Sequence, residues 1–424
     1  MKKYKNLIVF LSVITLIALS AFIPVKNNKT TSQKTEKDNK KQTLIARVET
    51  VQAETLDINY SDERSRPTCN TLPKGTVDYC KQTSDFCNLN SGHRLYKSNV
   101  KTYYGTLPDE NNVKFIDSYI SKGKLVLEFS QSFKAPFKID FGNQDYKNPY
   151  PDNADRPDYS VNNFTCEEFK IEFSYCDKID GSLKLAENSV FSDISSSGNT
   201  LILKLKNKNV FCGYTAEYNN NNNLCFVFTD CNSVSKADNK YGADLTGKTV
   251  MIDAGHGGED CGATGNSEYY TESALNLILS KLIKSQLESI GATVIMTRTE
   301  DSELLLKERT DLIYKYKPDI FVSVHRNAAE NTSAAGYENY YYYPFSKNLA
   351  NCIFKSASSS FDRDISVKYY PFYVTRAATC PSVLTENGFV SNSEELDKIK
   401  LYDNNLTIAE NTVKGITEYF LNLN

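Results

Sequence analysis

Apolar and polar positions change rhythm along the 424-residue chain. Between Lys97 and Asp230 the apolar residues come in short runs. Examples are Val113-Lys114-Phe115-Ile116, Lys124-Leu125-Val126-Leu127-Glu128-Phe129, Phe169-Lys170-Ile171-Glu172-Phe173, Leu201-Ile202-Leu203-Lys204-Leu205 and Phe226-Val227-Phe228. Several alternate apolar with polar, and Gly, Asn and Pro punctuate them, which predicts strands. Residues 97–231 therefore read as an all-β domain, a sandwich or small barrel. The Asn run from Asn219 to Asn223 makes a polar hairpin loop.

From Lys248 onward the pattern is strand, helix, strand, helix. Thr249-Val250-Met251-Ile252-Asp253 is a buried strand that runs into a Gly-rich loop. Leu275, Leu279, Leu282, Ile283 and Leu287 repeat at helical spacing between Glu272 and Ser289, and Gly291 stops the helix. Strand Thr293–Met296, helix Leu304–Tyr316 and strand Ile320–Val324 follow. Then come strand Glu338–Tyr343, a helix from Ser346, strand Ser382–Thr385 and a closing helix near Leu406–Leu421. Continuous apolar strands alternating with amphipathic helices predict an α/β catalytic domain over 247–424: a mostly parallel open sheet flanked by helices. Sites in such sheets lie beyond the carboxyl ends of the strands.

The start of the chain has a different character. Lys2, Lys3 and Lys5 precede the uncharged run Leu7 to Val25, the arrangement of a signal peptide or signal anchor over 1–25. At 1.5 Å per residue this run spans about 28 Å, close to the hydrocarbon thickness of a bilayer. The reading is export to the cell wall or the outer membrane face, with N-terminal membrane association; anchored and secreted forms both remain open. Residues 26–66 are polar and read as a disordered linker, 67–96 as a Cys-containing irregular segment, and 232–246 as a second linker.

Composition narrows the function. Net charge is −3, and the pI near 5.9 excludes a protein that wraps nucleic acid. The average hides a split: 12 Lys/Arg against 7 Asp/Glu up to Arg66, and 17 against 23 from Lys248 to the end. Eleven Cys in an exported chain permit disulfides, and the odd number leaves one over. Cys69, Cys80, Cys87 and His93 are spaced too widely for a zinc pattern, and the cysteines read as loop or disulfide residues.

The chain has only 3 His, and 2 of them fall at strand ends of the α/β region. His256 lies in Asp253-Ala254-Gly255-His256-Gly257-Gly258, and His325 in Ser323-Val324-His325-Arg326-Asn327. Glu386 ends another strand, in Thr385-Glu386-Asn387-Gly388-Phe389. Glu272 opens the first helix, whose N-terminus faces the same rim. Singly, such residues are usually turn, capping or hydrogen-bonding groups. Together they make the donor set of a catalytic His₂Glu zinc site with an open position and a second carboxylate as base.

These motifs resemble, in order, those of the zinc-dependent N-acetylmuramoyl-L-alanine amidases that cleave bacterial peptidoglycan. The resemblance covers about Lys248 to the C-terminus. It rests on Ile252-Asp253-Ala254-Gly255-His256-Gly257-Gly258, Asp260, Gly262-Ala263, Glu272 with Leu277, Thr297-Arg298, Asp301 and Arg309. Ser323-Val324-His325-Arg326-Asn327-Ala328, Gly336-Tyr337-Glu338 and Pro381 to Asn392 complete it. It implies that His256, Glu272 and His325 bind Zn²⁺, with Glu268 the competing ligand, and that Glu386 is the catalytic acid/base. It implies hydrolysis of the amide between N-acetylmuramic acid and L-alanine. A zinc peptidase on the same fold and a non-catalytic wall-binding scaffold are the alternatives. Arg326 stands where that family has a small residue and is expected to alter the rim. Arg298 and Arg309 read as structural ion-pair residues, and Cys261 as a loop thiol. By its position before such a domain, the β-domain is similar to wall-targeting modules and is assigned wall or partner binding.

Overall fold

Six strands make the sheet that carries the site. Their order is Thr293–Met296, Thr249–Ala254, Ile320–Asn327, Ser382–Phe389, Tyr337–Tyr341, Asp364–Tyr369. The computed structural model describes residues 42–57, 67–141, 167–206, 211–229, 232–264 and 270–423. The apolar start read as a signal or anchor lies outside these residues, as does Glu268. No helix among the described residues is long and apolar enough to cross a membrane.

The first four strands of the sheet run parallel, and Tyr337–Tyr341 joins Ser382–Phe389 antiparallel. The sheet is thus mixed and mostly parallel, as the unbroken apolar runs predict. Every residue of Ser382–Phe389 is buried, because the sheet is covered on both faces. Helix α1 (Glu272–Glu288) presents Leu275, Leu279, Ile283 and Leu287 to the sheet. Helix α2 (Leu306–Tyr316) covers the other face, where Ile313 and Tyr314 meet Met251, Phe321 and Leu384. Helices α3 (Lys347–Ala357), α4 (Ser393–Ile399) and α5 (Tyr402–Leu421) complete the layers. The sequence reading lacks α4 and the strand Asp364–Tyr369. Both are short, and only Leu396 and Ile399 of α4 are buried apolar residues.

The all-β expectation for the N-terminal part holds, but strand structure starts earlier than read. Thr43–Val48 and Gln52–Asp57 are strands inside the stretch read as linker. Pro67–Pro73, Val77–Gln82, Phe86–Leu89 and His93–Tyr96 occupy the stretch read as irregular. With Val100–Gly105 they form one seven-stranded sheet. The physical reason is sparse but fully buried apolar residues: Ile45, Val48, Ala53, Leu56, Leu72 and Leu95 are each at most 2% exposed. Cys80 and Cys87 are buried among them, and His93 sets Nε2 3.1 Å from the Phe137 carbonyl, a core role rather than a ligand role.

Two further sheets, of four and five strands, face each other through phenylalanines. Phe129 meets Phe173 at 5.2 Å, Phe137 meets Phe226 at 4.9 Å and Phe169 meets Phe228 at 5.2 Å, edge-on or tilted. The Asn loop joins Tyr214–Tyr218 to Leu224–Phe228 as predicted, and the Asn219 side chain accepts from the Asn221 and Asn223 amides. Cys212 is disulfide-bonded.

The stretch read as the second linker carries a small hairpin, Ser235–Lys236 with Ala243–Asp244, and a fully buried Leu245. Gln42–Asn424 packs as one compact unit. One hydrophobic core runs through both halves, with Phe211 against Phe345 at 5.4 Å.

Asp253, next to last in the strand Thr249–Ala254, has no exposure at all. Arg309 Nη1 lies 2.6 Å from it, and the Thr297 and Ser323 hydroxyls donate at 2.6 and 2.7 Å. Burial alone would raise its pKa; Arg309 and the hydroxyls hold it below the usual carboxylate value. Replacing Arg309 with Met strands this charge and should lower stability by about 3–5 kcal/mol, read from urea unfolding. A loss below about 1 kcal/mol would show that the hydroxyls suffice.

Candidate metal centre

The Gly-rich loop after Ala254 turns back on itself, with His256 at φ +60°, a conformation that L residues rarely take. Arg298 holds this turn by donating to the carbonyls of Ala254, Gly255, Ser273 and Glu300 at 2.8–3.1 Å. It is a backbone clamp more than the ion-pair residue expected. Arg309 is the ion-pair residue, and it also donates to the carbonyls of Ala254 and His256.

Two glycines are required by what lies against them. A Cβ at Gly255 would sit 2.3 Å from Cε1 of His325, and one at Gly262 would sit 2.7 Å from both Glu272 Oε2 and His256 Cδ2. The loop is therefore glycine-rich because imidazole and carboxylate groups pack directly on its backbone.

Glu272 stands at the first position of α1, capped by Thr271, whose hydroxyl accepts from the Ala274 amide. Only 4% of Glu272 is exposed. Its Oε2 accepts from the Ala263 amide at 2.9 Å, and its Oε1 from the Arg326 amide at 3.1 Å. The same Oε1 lies 2.9 Å from His325 Nδ1 and 3.2 Å from His256 Nε2. Burial would raise the Glu272 pKa, but the two imidazoles outweigh it and hold the carboxyl well below the usual range. Burial likewise lowers that of His256, yet hydrogen bonds to Glu272 and then Asp260 raise it to about 9. Asp260 Oδ2 sits 2.8 Å from His256 Nδ1, which turns Nε2 toward Glu272.

His256, Glu272 and His325 are the one group of three or more such residues among those described whose donor atoms all lie within 4.8 Å of one another. A tetrahedral zinc with N and O ligands at about 2.0–2.2 Å separates neighbouring donors by about 3.3 Å. The observed 2.9 and 3.2 Å separations are close to that. The donor set fits a cation that takes the place of the shared protons.

Glu386 stands beside this group, on the next strand of the sheet. It is paired in register with His325 on the neighbouring parallel strand and is 9% exposed. Both line a cavity of about 510 Å³ together with His256, Glu272, Asp260 and Asn327. Leu304, Leu305 and Leu306 at the start of α2, and Phe372, Tyr373 and Val374, make its apolar sides.

The structure corrects one expectation and adds one residue. Arg326 borders the cavity, but its guanidinium turns away from the rim: the residue is 1% exposed and donates to the Asn387 carbonyl and, at 2.6 Å, to Asn405 Oδ1 in α5. A large side chain after a strand-end His reads as rim until the helix packed below is known. Asp260 was visible only as part of a motif; its spacing of four from His256 was the available signal. Cys261 has its thiol 3.5 Å from the Gly262 carbonyl and is not among the grouped donors.

Residues 250–418 match the family model described as N-acetylmuramoyl-L-alanine amidase. An uncharacterized protein of Bacillus subtilis, YqiI, is 39% identical over 181 residues, covering 42% of this chain and 86% of that protein. The N-acetylmuramoyl-L-alanine amidase LytC of the same bacterium is 35% identical over 171 residues, 39% of this chain and 34% of LytC. This chain thus spans only about a third of LytC. The solved catalytic domain of CwlV, an N-acetylmuramoyl-L-alanine amidase from Bacillus (Paenibacillus) polymyxa var. colistinus, is 35% identical. It aligns with a TM-score of 0.40 over 41% of this chain and 97% of that domain. By its family match and its near-full-length likeness to YqiI, the chain belongs to the N-acetylmuramoyl-L-alanine amidase family.

Proposed function

We propose that the protein hydrolyses the amide between N-acetylmuramic acid and the L-alanine of the peptidoglycan stem peptide. His256, Glu272 and His325 hold Zn²⁺ and Glu386 is the acid/base. The observation that carries this reading is the His-Glu-His group and a second buried carboxylate, Glu386, lining one cavity.

An amide resists hydrolysis because its carbonyl is a poor electrophile and its amine a poor leaving group. Zinc bound by these donors would polarise that carbonyl and bring the pKa of a bound water to about 7. Glu386 takes the proton of the attacking water and returns it to the departing alanine nitrogen. Asp260 keeps the His256 ring oriented, and the Arg326 and Ala263 amides keep Glu272 in place. The apolar sides, Leu304–Leu306 and Phe372–Val374, offer surface to the sugar and lactyl faces of the substrate.

The basic-flanked run Leu7–Val25 supports action outside the cytoplasmic membrane, where peptidoglycan lies, and the disulfide at Cys212 agrees with an oxidising compartment. Contact with wall polymer or a partner protein falls to the β-rich half.

Treating the protein with a chelator should abolish release of L-alanine amino groups from peptidoglycan, and zinc should restore it where magnesium does not. Activity that survives verified metal removal would overturn the reading. Glu386→Gln should keep bound zinc and lower kcat by about 10²–10⁴-fold; a smaller loss places the acid/base elsewhere. Mass spectrometry of the products separates a peptidase, which leaves the lactyl amide intact.

A further inference from the structure

The segment between Tyr369 and Ser382 lies on the sheet face that α2 also covers, where Val374 and Ala377 join Met251, Phe321 and Leu384. It contains a short 3-10 turn, Tyr373–Arg376, and supplies Phe372, Tyr373 and Val374 to the catalytic cavity. It belongs to no long helix or strand; from the α/β half, the Tyr341 carbonyl accepts from the Tyr370 amide and the Tyr343 hydroxyl donates to the Arg376 carbonyl.

The β-rich half holds it as well. Arg376 Nε lies 2.9 Å from Oε1 of Glu54, which is on the strand Gln52–Asp57, and each side chain is 13% exposed. The same guanidinium sits 4.9 Å from the centre of the Tyr373 ring, directly behind a cavity-lining residue. Two residues on, the Ala378 carbonyl accepts from the Tyr214 amide at 2.7 Å, and the Thr379 carbonyl from the Thr229 hydroxyl at 2.5 Å. Thr215 and Thr379 hydroxyls meet at 3.1 Å. Gly213, at φ +106°, leaves room for this approach, since a Cβ there would stand 2.3 Å from the Ala378 oxygen.

We infer that the β-rich half is a working part of the catalytic groove, with Glu54 a positioning residue that acts through Arg376 to set the cavity wall Phe372–Val374. This rests on the amidase reading above. A nearly dry ion pair adds little net stability over an apolar contact of the same shape, but removing one partner leaves the other charge buried and alone. Here the pair keeps the Arg376 guanidinium beside the Tyr373 ring. The Gly213–Thr215 and Thr229 contacts hold Ala378 and Thr379, so the chain that leaves the wall is held at Arg376, Ala378 and Thr379 by residues from outside the matched region 250–418.

The molecule contains its own control. Lys124 and Asp319 also join the two halves, at 3.1 Å and with 13% and 14% exposure, but Asp319 precedes the strand Ile320–Asn327 and neither residue lines the cavity. The full chain, loaded with zinc, is assayed on a soluble glycan–peptide fragment of peptidoglycan. Glu54→Gln should raise KM at least fivefold with kcat within twofold and zinc content unchanged. Lys124→Gln should lower the melting temperature by a similar amount and leave KM unchanged. Thr229→Val, which keeps shape and removes only the hydroxyl, should raise KM like Glu54→Gln and serves if that variant folds poorly.

Equal KM in all three variants and the wild type, or an equal rise in the Lys124 variant, overturns the inference. Hydrogen exchange gives a readout without turnover. Amides of residues 372–379 should exchange faster in Glu54→Gln than in Lys124→Gln, and equal protection is a second overturning result. An inactive wild type would instead sink the amidase reading, while the exchange comparison would still decide the role of Glu54.

Discussion

The Glu272 carboxylate is kept ionised inside the protein, and much of the surrounding structure serves that one requirement. A buried carboxylate without compensation takes up a proton. Here two imidazoles, two backbone amides and the N-terminal end of α1 compensate it. Each of these needs a particular backbone path. The imidazoles need the Gly255 and Gly262 approaches, the amides need Ala263 and Arg326 turned inward, and the helix end needs its Thr271 cap. The result is a concentration of negative charge and imidazole nitrogen that suits a cation.

A second layer of charge makes that path rigid. Asp253 and Arg309 are paired with almost no exposure, and Arg309 and Arg298 spend their remaining donors on loop carbonyls. The two arginines bind the backbone that carries His256, so that neither side chain has to touch substrate to matter. Arg326 does the same from below, tying the end of the His325 strand to Asn387 and to α5. Buried guanidinium groups with several fixed acceptors make geometry specific rather than the fold more stable.

The N-terminal half enters the same scheme. Lys124–Asp319, Lys317–Glu217 and Arg376–Glu54 join it to the α/β half, alongside the shared aromatic core at Phe211 and Phe345. The strands from Thr43 to Tyr96 escaped the sequence reading because their apolar residues are few and widely set. The core they fill comes from distant strands, and no local periodicity records that. The later strands carry dense alternating Phe, Ile and Leu and so announced themselves, although partners such as Leu224–Phe228 and Lys124–Ser130 lie far apart in the chain.

Local pattern by itself determined the alternation of strand and helix after Lys248 and the expectation that His256, Glu272, His325 and Glu386 share one rim. It could do so because parallel strands deliver their carboxyl ends to the same edge whatever their order. Only the tertiary structure decided that Glu272 sits between the two imidazoles, that Asp260 orients His256, that Arg326 turns into the core, and that Glu54 reaches Arg376 from a strand more than three hundred residues earlier in the chain. Those outcomes depend on which surfaces meet when separate layers pack, and contacts between residues far apart in sequence leave no spacing to read.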